Sequence, residues 1–456
     1  MPSAGQLGTP AATSDAGSQP VPAASASQTS RAGSTATLDA EVFNEQAMAL
    51  FRAALDCSPP DANVLCSPLG IASAMAAADA PRREAARTTG PCMGDVEGVA
   101  ACVRRFRNCD AVCIGNLLHV DATTRLDDEY RALFEGSLQG KVRTTKAASE
   151  RGVAASKDIG DSTNLWASEL TGGAVTSVFG WSGDAANAQR EPAKRAASAK
   201  MTAQLPEPPL AACLVNLVYL NGCWEEGFTG AGDMPFYAKP DRAHMVPMMT
   251  QRGTEMPYVR RPSFSCLRLP FDCQSSHMAL FVPSLRSGGV EKELLPSIRR
   301  WSDMRAVLDA LAWRTDVTVT LPKVLLESPT IDLRKCLKTL ELHRSSSPTD
   351  VSGSAPNAVT PGGVNASKAT SNAESVSSSA NVQDLRVEGL YHKASLDLTT
   401  KGGPSPPGFS TLLSVCSTIP PNEPVRFVVD RPFVFAVLAE GLLLMIGLVR
   451  NVQSNV

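Results

Sequence analysis

No two of the twelve cysteines are separated by two residues, so the paired-thiolate spacing of a structural zinc site is missing. The nearest couple is Cys109 and Cys113. Cys66, Cys213 and Cys223 sit inside apolar runs, where a free thiol packs as a small hydrophobe. Reduced, structural cysteines are expected, with no metal site and no cofactor. Charge of one sign is not in excess either: 43 basic residues face 45 acidic ones, for a formal net charge of −2. Without a basic field, nucleic acid is not an expected partner. Nucleophile-elbow, H-E-x-x-H and P-loop signatures are absent as well, so the chain does not read as an enzyme.

Residues 1–38 hold one acid, Asp15, one base, Arg31, and no aromatic residue. A segment so poor in large apolar groups cannot offset its ordering entropy, and it reads as a disordered Ala/Ser/Thr-rich tail. It lacks the charged start and the apolar run of about 7–15 residues that a secretory signal needs. The expectation is a cytoplasmic protein; the alternative is export by an unconventional route. Residues 39–456 read as a single domain, long enough and, at 43% hydrophobic composition, apolar enough for a large core. The longest apolar stretch, "FVFAVLAEGLLLMIGLV" at 433–449, carries Glu440-Gly441 at its centre. It falls short of the roughly 20 residues a bilayer needs. It reads as two buried strands joined by a tight turn, so no membrane is expected.

Several segments show clear periodicity. Val42, Phe43, Met48, Leu50, Phe51 and Leu55 recur at helical spacing within 39–56. Val64–Cys66 reads as a short strand. Ser67-Pro68 then opens an Ala-rich helix, Ser as side-chain acceptor and Pro where no amide is needed. "TNLWASELTGGAV" at 163–175 reads as a helix ended by Gly172-Gly173. "AVCIGNLLHV" at 111–120 and "ACLVNLVYLNGCW" at 212–224 read as strands, the second covered on both faces with Asn216 as the polar interruption of its apolar run. Further strands are expected in 265–272, 277–285 and 316–328, followed by a helix in 330–342. Residues 344–381 are Ser-rich and lack aromatics, so they read as a disordered insertion. Alternation returns over 385–400, with His392, Ala394, Leu396 and Leu398 on one face.

These segments resemble the serpin family in colinear order. "NVLCSPLGIASAM", "TNLWASELTGG" and "LVNLVYLNGCWEEGF" are followed by "VPMM", "LRLPF", "LPK", "HKA" and "DRPFVF". The resemblance covers roughly residues 40–454. It implies an α+β fold of about three sheets and eight to nine helices, with an exposed reactive-centre loop that serves as protease bait. After cleavage, the loop of an inhibitory serpin inserts as a new central strand in the main sheet. The chemistry then belongs to the protease's own nucleophile. The resemblance maps Ser67, Pro68, Asn164 and His392 onto the shutter, where that sheet opens. It maps Asn216 and Trp224 onto the long strand and the breach above it.

The loop would occupy 401–424. Gly402 aligns with the family's hinge glycine, but Gly403, Pro404, Ser405, Pro406, Pro407 and Gly408 replace the small amide-bearing residues that follow it in inhibitory serpins. Proline has no amide hydrogen and fixes its own φ, so it is excluded from central strands. Counting along the loop puts the bait bond near Cys416, Ser417 or Thr418. The expected function is therefore a poorly inhibitory or non-inhibitory serpin with a binding or regulatory role. The alternative is a suicide-substrate inhibitor of a serine or cysteine protease. The expected partner is such a protease or another protein, and the chain is expected to be a monomer.

Overall fold

The computed structural model describes residues 38–79, 93–107, 111–122, 124–145, 153–180, 212–272, 276–286, 288–346, 385, 387–402 and 424–452. The first helix, α1 (Ala40–Cys57), starts where Asp39 accepts hydrogen bonds from the amides of Glu41 and Val42. Its buried stripe is Phe43, Ala47, Met48, Leu50, Phe51 and Ala54, the spacing of one helix face. β1 (Val64–Cys66) leads into α2 (Pro68–Asp79), which is buried over nearly all its length. Alanines at five of its twelve positions let neighbours approach closely.

The other helices are α3 (Val96–Arg107), α4 (Asp128–Ala132), α5 (Val153–Leu170), α6 (Leu295–Ser297), α7 (Trp301–Asp309) and α8 (Leu333–Ser346). Among the described residues, none is long and apolar enough to cross a membrane.

The strands form two hydrogen-bonded ladders. The six-stranded one runs β10 (Val324–Glu327), β12 (Gly389–Leu398), β4 (Ala212–Asn221), β2 (Val112–Asp121), β3 (Gly140–Thr145), and β11 (Ile331–Asp332) also pairs with β12. The nine-stranded one runs β1, β15 (Leu442–Val449), β14 (Phe433–Ala439), β8 (Ser276–Pro283), β7 (Phe264–Pro270), β6 (Arg242–Arg260), β9 (Ala312–Pro322), β13 (Val425–Val428), with β5 (Thr229–Lys239) also on β6. β6 is 19 residues long. Its first half pairs with β5 and its far end with β7, so two packing layers share one continuous ladder. The main sheet named by the serpin resemblance is thus the smaller of the two ladders by strand count.

The apolar run at 433–449 is a hairpin, β14–β15, and every residue of both strands is buried. Glu440 (φ 52°) and Gly441 (φ 82°) both take the left-handed conformation, which suits a two-residue turn between twisted strands. Asn44 of α1 fixes that turn: its Nδ2 donates to the Gly441 carbonyl (2.7 Å) and its Oδ1 accepts from the Leu443 amide (2.9 Å).

Several boundaries differ from those read in the sequence. The alternating stretch 316–328 splits at Lys323 between β9 and β10, which belong to different ladders. β4 ends at Asn221, before Gly222, because Trp224 turns out of the ladder to cover the strand ends. The strand expected over 385–400 spans Gly389–Leu398. The helix expected at 163–175 begins ten residues earlier, at Val153, and ends at Leu170, before the positive-φ pair Gly172-Gly173. The tail, the greater part of 344–381, and the loop from 403 to 423 lie outside the described residues.

Candidate functional site

The two central strands of the six-stranded sheet, β12 and β4, run parallel and pair directly, from Gly389 opposite Cys213 to Asp397 opposite Asn221. Their contact forms a seam through the middle of the sheet. A row of polar side chains crosses this seam. In register, His392 of β12 stands opposite Asn216 of β4, and Asn216 stands opposite Asn116 of β2. All three are fully buried, so their hydrogen bonds must come from one another and from the adjoining backbone.

The bonds run in a single direction. The Ser67 amide donates to His392 Nε2 (3.1 Å), so that nitrogen must be bare, and the proton of the neutral ring lies on Nδ1. Nδ1–H then donates to Asn216 Oδ1 (2.8 Å). Asn216 Nδ2 donates to Asn116 Oδ1 (2.9 Å) and to the Gly115 carbonyl (3.2 Å). Asn116 Nδ2 in turn donates to Ser73 Oγ (2.8 Å) and the Leu138 carbonyl (2.6 Å). Ser67 Oγ closes the near end by donating to the Leu444 carbonyl of β15 (2.7 Å), which ties the two sheets together. Burial holds the His392 pKa down at about 3, so the ring is neutral at ordinary pH.

Of the residues that the resemblance mapped onto the shutter, Ser67 and His392 are in contact, and Pro68 is the first residue of α2. Asn164 does not join them. It sits on α5, where its Nδ2 donates to the Phe179 carbonyl and its Oδ1 accepts from the amides of Val178 and Phe179. Asn164 therefore holds the segment after α5 in place, and Asn216 takes the position across the seam. Gly70 and Ser73 of α2 were not singled out in the sequence. A Cβ on Gly70 would lie 2.4 Å from Val218 Cγ2 and 2.6 Å from Asn216 Oδ1, so only glycine lets the helix approach the row. The available signal was a lone polar residue, Asn116 or Asn216, in the middle of a strand apolar on both faces.

A second cluster surrounds Trp224, beyond the end of β4. Its ring stacks on Phe271 (4.7 Å between centroids) and lies 5.3 Å from Phe228. The indole N–H donates to the Thr399 carbonyl (2.8 Å), and the Trp224 and Phe228 amides donate to the carbonyls of Lys401 and Thr400. Gly402 forms a parallel bridge with Trp224. A Cβ there would lie 2.6 Å from both the Cα and the amide nitrogen of Gly227, which are backbone atoms that cannot yield. Gly402 is the last described residue before 424, and this bridge fastens it to the sheet. Gly403, Pro404, Ser405, Pro406, Pro407, Gly408, Cys416, Ser417 and Thr418 lie outside the described residues.

The same sheet buries two further titratable side chains. Lys393 is 1% exposed, its pKa lowered by burial and partly restored by Glu327 at 3.8 Å. His119 of β2 meets Thr163 of α5 at 2.9 Å. Thr163 already donates to the Ile159 carbonyl, so His119 Nε2 carries the proton, and Nδ1 is buried without a partner. Burial first, then the nearby Arg143 charge, bring the His119 pKa down to about 4. Among the described residues, no cluster of His, Cys, Asp and Glu could hold a metal ion.

A family model for serpins, serine protease inhibitors, matches residues 193–452, more than half of the chain. The chain belongs to the serpin family. It is 23% identical over 438 residues to a serine protease inhibitor of the jellyfish Cyanea capillata, covering 91% of this chain and 99% of that protein. It is 24% identical over 246 residues to Iris of the tick Ixodes ricinus. That match spans 52% of this serpin and 57% of Iris, little more than half the relative's length. Uncleaved ovalbumin has the same fold, with a TM-score of 0.64 at 17% identity over 91% of this chain and all of that one.

Proposed function

We propose that this serpin binds a serine or cysteine protease, or another protein, through its loop without running the insertion reaction. The observation that carries this reading is Pro404, Pro406 and Pro407 directly after Gly402. An inserted strand would separate β12 from β4 and offer amides alternately to both. Adjacent Pro406 and Pro407 remove one donor on each side, and Pro404 removes a third. Three carbonyls left short of partners inside the sheet cost about 1–3 kcal/mol each. The closure of Gly402 on Gly227 fixes the first residue before this stretch, so the prolines fall on the first rungs an entering strand would use.

One observation favours the suicide-inhibitor reading. The His392–Asn216 bond bridges the seam itself. A new strand would double the roughly 4.8 Å spacing there and break that bond, which is how an opening sheet would be latched. Incubation with serine and cysteine proteases that cut within 403–423 separates the two. The proposal expects clean cleavage, no complex surviving SDS, and an unchanged melting temperature after nicking. An SDS-stable protease adduct would overturn it. Changing Pro404, Pro406 and Pro407 together to alanine should raise the melting temperature of the nicked form above that of the intact one.

A further inference from the structure

Two thiols lie together at the junction of α1 and α8, away from the seam. Cys57 is the last residue of α1, and Cys336 lies in the first turn of α8. The helices that carry them, α1 and α8, pack against each other, and Cys57 acts on the Cys336 thiol electrostatically. Cys57 Sγ also stands 3.5 Å from Thr339 Oγ1, three residues along α8 from Cys336 and so on the same helix face. Their exposure differs sharply: Cys57 is open to solvent, whereas Cys336 is 1% exposed. Cys66, Cys213 and Cys266 are buried, and burial alone pushes the Cys66 thiol up to about 12. Burial likewise pushes up the Cys336 thiol, with the Cys57 neighbour adding to it, so the solvent-facing Cys57 meets an oxidant first.

We propose that Cys57 and Cys336 form a built-in disulfide site, closed by a peroxide. Cys57 thiolate attacks one peroxide oxygen, the O–O bond breaks, and the products are a Cys57 sulfenic acid and hydroxide, which takes a proton to become water. The Cys336 sulfur then attacks the sulfenic sulfur, and hydroxide leaves and takes up the thiol proton as a second water. Two thiols are oxidised by two electrons, and one peroxide is reduced to two waters. Cys57 closes α1, a helix packed on β15, and frayed helix ends adjust at little cost. Cys336 opens α8, directly after β11, which pairs with Tyr391 and His392. The new bond therefore links the helix packed on β15 to the helix that follows β11, the short strand paired with β12.

The full-length serpin is treated with hydrogen peroxide, alkylated, digested without reduction and mapped by mass spectrometry. A peptide pair joining Cys57 to Cys336 is expected, lost in Cys57→Ser and in Cys336→Ser. The melting temperature should rise by about 4 °C on oxidation and return with dithiothreitol. Exposed Cys57→Ser keeps the fold and should show no such shift, which covers failure of the buried Cys336→Ser to fold. Cys57 recovered as a sulfinic acid, or joined to Cys416 or any other cysteine while Cys336 stays a thiol, would overturn the proposal. None of these readouts depends on whether the loop inserts.

Discussion

The β14–β15 hairpin and the β12–β4 pair are equally buried, yet they are filled differently. The hairpin strands hold only apolar residues and Gly447. The β12–β4 pair holds Asn216, His392, Lys393 and Ser395, with Asn116 and His119 beside it on β2. Apolar contacts are non-directional and lose little when a neighbour shifts slightly. A buried hydrogen-bonded row is stable in one register and costly in every intermediate one. The first composition suits a tolerant core, the second a sheet that specifies one register.

Truncating the hairpin should have the largest effect. Phe435→Ala removes a fully buried ring from β14 and should cost about 4 kcal/mol in chemical denaturation. Asn216→Ala should cost about 3 kcal/mol, because it orphans His392 Nδ1–H, Asn116 Oδ1 and the Gly115 carbonyl together. Asn164→Ala should not loosen the seam, and hydrogen exchange at β12 and β4 distinguishes the two asparagines. Equal protection in both variants would erase the distinction drawn here.

Acidification should act on the polar sheet alone. His392 and His119 have folded pKa values of about 3 and about 4, below the ordinary 6.5. The unfolded chain therefore binds more protons below pH 6.5. Stability from these rings is complete above that pH and declines as pH falls toward the folded values. The slope is up to about 1.4 kcal/mol per pH unit for each ring. Melting followed from pH 7 to pH 4.5 should show this decline, and His119→Gln should make it shallower. The smallest effect is expected from Thr163→Val. It removes the partner of His119 and should cost about 1 kcal/mol, read as faster exchange along α5.

Most of the fold was legible in local pattern. The hairpin followed from Glu440-Gly441 interrupting an apolar run too short for a membrane, and β4 followed from apolar residues on both faces. The shutter was legible in part. Ser67 and His392, grouped in the sequence with Asn164, are hydrogen-bonded in a row with Asn216 instead. Asn216 lies in an apolar strand and Asn164 in a mixed helix, and only the parallel pairing of β12 with β4 decides which one faces His392. Asn116 and Gly70 depend on lateral neighbours from three different strands and a helix, which no linear spacing encodes. The proline-rich hinge is the reverse case, since its consequence is read from missing amides and needs no neighbour at all.

The grip of Asn44 on the turn at Gly441 spans 397 residues of sequence. A ribosome adding about 5–20 residues per second needs roughly 20–80 s to cover that distance. Until the end of that interval the part of α1's resting place supplied by β15 is missing. The newborn chain must shelter Phe43, Met48 and Phe51 by other means until its final strands emerge, which makes α1 a natural handle for chaperones and the first place for synthesis to go astray.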